Sequence, residues 1–218
     1  MNYYLDITLL PDTEINLGFL WQKVYQQVHL LLVEHKVGEK DSAIGLSFPK
    51  YGSKDFPLGD KLRLLAKSEQ ELANLNVNQW LGRLTDYVHI KMIAPVPSDV
   101  SKFVYFKRKQ FKSPHKLRKN VDSRAAAIAQ KNGFDIAEVK KRLLATIDNF
   151  DKESKLPFIN LRSLSTDKLM NPEERRKFLL FIEQQPAQSS NSKSAIFTCH
   201  GLSRRKEEEQ TAVPWFEG

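Results

Sequence analysis

The sequence predicts an α+β protein. A ferredoxin-like (RRM-like) βαββαβ domain is expected over residues 1–97, and a smaller domain with a basic helix and short strands over residues 98–218. Three observations point there. Up to the Pro-Val-Pro of residues 95–97 the apolar pattern runs strand, helix, strand, strand, helix, strand. That is the split βαβ order, which gives an antiparallel four-stranded sheet with two helices on one face. Beyond Pro97 the pattern changes to short strand-like runs joined by polar connectors, and the chain's excess positive charge gathers at the start of that second part.

Each element has its own signal. Residues 3–10 alternate around Tyr4, Asp6 and Thr8 and are stopped by Pro11, which predicts a strand. Leu17, Leu20, Trp21, Val24, Val28, Leu31 and Leu32 recur at helical spacing, predicting a helix to about His35. AIGLSF at 43–48 and KLRLLA at 61–66 are the next strands. Ser68 begins the Ser-x-x-Glu capping pattern of a second helix, expected to continue through NVNQWLGRL, and YVHIKMI at 87–93 is the fourth strand. The strands hold no RNP-type motif, so base stacking on the sheet face of the usual RRM kind is not expected. In the second part, residues 102–109 read as a strand or extended arm. Ser113-Pro114 opens a basic helix ending near Asn132-Gly133, and residues 136–147 form another helix. Short strands are expected at 157–161, 178–182, 195–199 and the closing VPWF, with polar connectors at 171–176 and 185–193.

Charge narrows the function. Residues 101–124 carry nine Lys/Arg and one acid, and the rest of the chain is balanced, so this segment holds the net +8. Phe103, Tyr105, Phe106 and Phe111 are interleaved with those cations. Cations for phosphates and aromatics for bases make a nucleic-acid surface. One cysteine, Cys199, excludes an intrachain disulfide and fits a reducing compartment. No zinc or calcium motif, signal peptide or apolar span is visible, so a soluble cytoplasmic protein without metal or cofactor is expected.

Candidate site residues are fewer. His29 lies four residues after Tyr25, beside the apolar stripe of the first helix, where a structural role suits it as well as a chemical one. His200 follows a strand and precedes Gly201, a place where side chains line clefts. Arg108 and Gln110 suit guanine and adenine edges respectively, so an extended arm carrying both can read adjacent base pairs. Residues 162–166, RSLST, form a hydroxyl-rich turn after an apolar strand, which is also an ordinary capping pattern. No GxSxG elbow supports a serine hydrolase.

Taken in order, the fragments YLDI at 4–7, His29, GLSFP at 45–49, RKQFKS at 108–113, LPFINLRSLST at 156–166, FLLFI at 178–182, FTCHGLS at 197–203 and VPWF at 213–216 span nearly the whole chain. This set resembles the CRISPR-associated endoribonuclease of type I-F systems, the Csy-subtype enzyme that cuts the repeat hairpin of the precursor transcript.

The resemblance implies a metal-independent endoribonuclease that binds the repeat stem-loop and cuts at the base of the stem. The 2′-OH attacks the adjacent phosphate, leaving a 2′,3′-cyclic phosphate, and the enzyme stays on the product hairpin. It implies His29 as general base, Ser163 as the residue that holds the ribose, and His200 near the scissile phosphate where a tyrosine is the expected residue. Arg108 and Gln110 would read base pairs low in the stem. Lys107, Lys109, Lys112, Lys116, Arg118, Lys119, Arg124 and Ser165 would bind RNA, and Phe178 would stack on a base. The partners implied are the repeat RNA and the other subunits of the type I-F surveillance complex, with a monomer when free. Residues 167–177 look like an inserted loop, and Asn120 and Ser123 stand where the basic helix is expected to carry more arginine. Two other readings use the same surface: a hairpin-binding assembly subunit that does not cut, and a basic DNA-binding protein.

Overall fold

In the computed structural model the alternating run at the start becomes strand β1 (Tyr3–Leu9), the centre of a sheet. The structure describes residues 1–110, 118–153, 156–162, 177–187 and 195–217. β1 pairs antiparallel with β4 (Lys61–Ala66), Asp6 opposite Arg63, and β4 in turn pairs with β3 (Gly45–Ser47). On its other side β1 pairs with β5 (Val88–Ile90) and β6 (Ala94–Pro95). The sheet order is β3-β4-β1-β5, with β6 also on β1. β5 and β6 replace the single strand expected at 87–93. Ile7 pairs with Ile90 and Tyr4 with Ala94, so one extra residue bulges out between them and breaks the ladder.

Helix α1 (Leu17–Glu34) starts where the Asn16 side chain accepts the Phe19 N–H, and it buries Leu20, Trp21, Val24, Tyr25, Val28, Leu31 and Leu32. The Ser68 capping box is present at the start of α2 (Glu69–Ala73). The helix expected to continue from there is instead three pieces: α2, α3 (Val77–Trp80) and a 3-10 turn, Gly82–Tyr87. Asn76 is the cause, since it adopts φ +49, a left-handed conformation that asparagine tolerates and a helix does not.

A second, four-stranded antiparallel sheet has the order β11-β7-β9-β8, formed by β7 (Phe103–Lys109), β8 (Phe158–Arg162), β9 (Lys177–Ala187) and β11 (Val213–Pro214). Residues 103–109 are therefore a paired inner strand, not an arm. β9 extends well past the expected 182, because β7 supplies partners from Phe181 to Ala187. Lys107 Nζ donates to Gln185 Oε1 at 2.6 Å, and Lys109 pairs with Glu183 at 3.5 Å, so polar residues that read as a connector are held as strand. A short pairing of β2 (Asp41–Ser42) with β10 (Phe197–Thr198) ties the C-terminal region to the N-terminal one.

Both sheets share a core. The Phe48 ring meets Phe106 at 5.0 Å, and Tyr51 Oη donates to Ile182 O at 3.0 Å. The closing VPWF is clamped by Arg63, fully buried, which holds both Asp6 oxygens at 2.6 and 2.9 Å and donates to Phe216 O at 2.8 Å. Its guanidinium lies 3.8 Å over the Phe216 ring. Residues 1–109 with 157–218 form one compact unit, so the change of character at Pro97 is not a break in packing. Residues 110–156 form the other. There α4 (Val121–Asn132), closed by left-handed Gly133, packs Ala125 and Ala129 against Val139 of α5 (Ile136–Glu153). Among the described residues no helix is long and apolar enough to cross a membrane.

Candidate active site

The site is built where α1 meets the turn of residues 198–201. Gly201 N–H donates to Thr198 O at 2.8 Å, closing a turn with Cys199 and His200 at its centre. Gly201 adopts φ +69, and a Cβ there would lie 2.3 Å from Leu46 Cγ, so only glycine lets the turn sit this close to β3. Gly201 O accepts from Leu46 N–H, Cys199 N–H donates to Lys40 O, and Ser203 N–H donates to Phe106 O. The turn is thereby pinned to the first sheet's edge and to β7.

Its backbone orients α1's polar residues. Tyr25 Oη donates to His200 O at 2.8 Å, and one turn later His29 Nδ1 lies 3.0 Å from Cys199 O. A carbonyl can only accept, so Nδ1 carries the proton and Nε2 is left with its lone pair. The His29 and His200 rings stack with centroids 4.2 Å apart, inclined by 22°. His200 Nδ1 is 3.4 Å from Cys199 Sγ, while its buried Nε2 has no hydrogen-bond partner among the described residues. Burial lowers the pKa of His29; the Cys199 carbonyl opposes that shift and the charge of Arg108 adds to it. Burial, then the charges of His29 and Arg108, pushes His200 down to about 3. Both rings are neutral at neutral pH, and burial likewise holds the Tyr25 hydroxyl and the Cys199 thiol protonated.

Next to the histidines stand Arg108 and Phe178. Arg108 on β7 lies opposite Ile182, its guanidinium 5.1 Å over the ring of Phe178, and its buried Nε has no partner among the described residues. Phe178 pairs with Leu161 at the end of β8, where Arg162 N–H donates to Gln26 Oε1 at 3.1 Å. Gln26 is three residues before His29, so β8 ends on the His29 face of α1. Ser163 and Ser165, which follow in sequence, lie outside the described residues, as do Lys112, Lys116 and most of the 167–177 segment.

The expected residues thus divide. His29, His200, Arg108 and Phe178 come together. Lys107 and Lys109 are engaged with Gln185 and Glu183, while Gln110, Arg118, Lys119 and Arg124 belong to the 110–156 unit and are exposed there. His35 caps α1 through Leu31 O, and His89 is exposed on β5. Two contributors escaped the sequence reading. The Cys199 carbonyl is a backbone group with no residue signature. The Tyr25 hydroxyl was hinted at by its four-residue spacing from His29, but its partner lies 175 residues away. Among the described residues His29, Cys199 and His200 also form a group of side chains that could hold a metal ion. The cavity of about 690 Å³ lined by Phe19, Lys23, Trp80 and Arg83 includes none of the residues named as site candidates.

The model of the family described as CRISPR-associated protein (Cas_Csy4) matches residues 4–216. Two curated proteins, both called CRISPR-associated endonuclease Cas6/Csy4, are similar along their whole length. That of Pseudomonas aeruginosa (strain UCBPP-PA14) is 31% identical over 217 residues, covering 99% of this chain and 100% of the relative. That of Escherichia coli (strain UTI89 / UPEC) is 31% identical over 218 residues, with the same coverage.

Proposed function

The chain belongs to the Csy4 family of CRISPR-associated proteins, and on that premise we propose that it is an endoribonuclease that processes CRISPR repeat RNA. It binds the repeat stem-loop and cleaves the precursor transcript at the base of the stem. The observation that carries this reading is the state of His29: Nδ1–H tied to a carbonyl, Nε2 carrying a free lone pair, beside an arginine and an aromatic ring that suit a nucleotide.

The nucleophile comes with the substrate. His29 Nε2 takes the proton of the ribose 2′-OH, and the 2′ oxygen bonds to the adjacent phosphorus. The bond from phosphorus to the 5′ oxygen breaks, and that oxygen leaves as a hydroxyl with a proton returned from His29 or water. The products are a 2′,3′-cyclic phosphate and a 5′-OH, and no step calls on a metal. Ser163 holds the ribose. His200, neutral and buried, stacks on His29 and offers Nε2 as a hydrogen-bonding group at the phosphate, a positioning role and not that of a general acid. Arg108 and Gln110 read base pairs low in the stem, Phe178 stacks on a base, and Lys107, Lys109, Lys112, Lys116, Arg118, Lys119, Arg124 and Ser165 supply the remaining RNA contacts.

The sheet order β3-β4-β1-β5, with helices between β1 and β3 and between β4 and β5, supports a ferredoxin-like plan for residues 1–97. In the proposed division of labour that part supplies the base and residues 98–218 the hairpin grip. The protein works in the cytoplasm as a monomer until it meets RNA, then stays on the product hairpin and joins the other subunits of the surveillance complex.

Incubation of labelled repeat RNA with the protein in EDTA tests the proposal. Cleavage to a cyclic phosphate is expected, and none when the single sugar upstream of the cut is 2′-deoxy. Cutting of that deoxy substrate overturns the mechanism. Tight hairpin binding without any cleavage makes the chain a non-catalytic assembly subunit.

A further inference from the structure

The side chain of Cys199 takes no part in the proposed cleavage, yet it sits between two histidines. One ligand atom each from His29, Cys199 and His200 lies within 4.8 Å of the other two. Zinc bonds of about 2.0–2.3 Å in a tetrahedral site put donors about 3.4–3.8 Å apart, so this group is about 1 Å from closing on a metal. Cys199 Sγ and His200 Nδ1 are already 3.4 Å apart. The other ring nitrogen of a ligating histidine characteristically donates to a carbonyl or carboxylate, which fixes the tautomer. His29 has that bond, to Cys199 O at 3.0 Å, so Nε2 is the atom free to ligate. Because the rings are stacked, closing on one ion requires His200 to tilt toward His29 while its Nδ1 stays beside the thiol, and its Nε2 has no hydrogen-bond partner among the described residues that would hold it back.

We propose that His29, Cys199 and His200 form a three-donor site for a soft transition-metal cation of the zinc class, with the fourth position open, and that the bound metal switches cleavage off. Two imidazole nitrogens and one thiolate suit such a cation and reject magnesium, which takes oxygen donors. Binding releases the thiol proton to solvent, leaving one negative charge against the dication. Inhibition follows because the metal occupies the lone pair that His29 needs to accept the 2′-OH proton. The binding half stands on geometry alone; the inhibitory half rests on the nuclease reading.

Cys199 is the chain's one cysteine, so thiol alkylation reports on this site alone. The full chain, stripped with a chelator that is then removed, is titrated with Zn²⁺, or with Cd²⁺ for its ultraviolet thiolate band. One equivalent of Zn²⁺ is expected to slow alkylation by about tenfold or more, since a ligated thiolate is a poor nucleophile, while Mg²⁺ does nothing. His29→Ala and the more conservative His200→Tyr should each lose the protection, and Cys199→Ser the Cd²⁺ band. Alkylation indifferent to Zn²⁺, or protection that survives both histidine substitutions, overturns the site. In a parallel assay Zn²⁺ should suppress cleavage of the repeat hairpin reversibly, and Cys199→Ala should resist it. Protection with undiminished cleavage overturns the inhibitory half. A metal-free chain that never cleaves overturns the nuclease reading instead, and the labelling arm then decides the site.

Discussion

At the scale of single residues, the proposed chemistry rests on one tautomer and two neutral rings. His29→Ala should lower single-turnover cleavage by about 10²–10⁴-fold while leaving hairpin affinity nearly intact. Activity within threefold of wild type removes His29 from the mechanism. Because burial, helped by Arg108 and opposed by the Cys199 carbonyl, lowers its pKa, the rise of rate with pH, measured in EDTA, should centre below the ordinary histidine value of about 6.5. Removing the Arg108 charge favours the protonated ring, so Arg108→Ala should move that rise to higher pH. His200 at about 3 stays neutral throughout, and His200→Tyr should therefore leave the profile's shape unchanged. A lost alkaline limb in His200→Tyr would restore the general-acid role. Arg108→Ala should also relax discrimination at one base pair by roughly 1–3 kcal/mol. Substituting Arg118, Lys119 and Arg124 should instead weaken all hairpins alike and flatten the salt dependence, as phosphate contacts do.

At the scale of elements, the turn of residues 198–201 matters more than its length suggests. Gly201→Ala puts a Cβ 2.3 Å from Leu46 Cγ at a positive φ. It should cost about 1–3 kcal/mol in urea unfolding and slow cleavage more than it weakens binding. Equal losses in both would mean that the turn supports the fold and not the site. Elements with strong local signals were legible in the sequence. The seven-residue apolar stripe specified α1, and the Ser68–Glu71 box marked the first residue of α2. Elements decided by partners were not. By sequence alone β9 reads as ending at Ile182, because only β7, brought in from far along the chain, makes Gln184 and Gln185 strand residues. The helix after Ser68 broke at Asn76 for want of a signal that separates a left-handed asparagine from a helical one. The residues themselves single out His29, His200 and Arg108, and the family resemblance adds Phe178 and the roles proposed for all four; the carbonyl and the phenol that hold the turn against α1 carry no such signal.

At the scale of the whole molecule, Asp6 and Arg63 lock the first sheet to the last residues of the chain. Arg63→Met leaves Asp6 buried without its ion-pair geometry and should cost about 3–5 kcal/mol by chemical denaturation. A loss below about 1 kcal/mol would mean that the sheet and the Phe216 contact do not depend on the pair. Because β11 borders β7, the same change should also weaken Arg108-dependent discrimination. The separation of 170 residues between His29 and the carbonyl that sets its tautomer has a consequence for biosynthesis. At about 5–20 residues per second, β1 to β6 emerge from the ribosome roughly 5–20 s before the turn that completes the site. A nascent or prematurely terminated chain thus possesses the proposed base but nothing to aim it. Ribosome-held chains ending before residue 195 should leave repeat RNA intact, and cutting should begin only once the last strands have been translated.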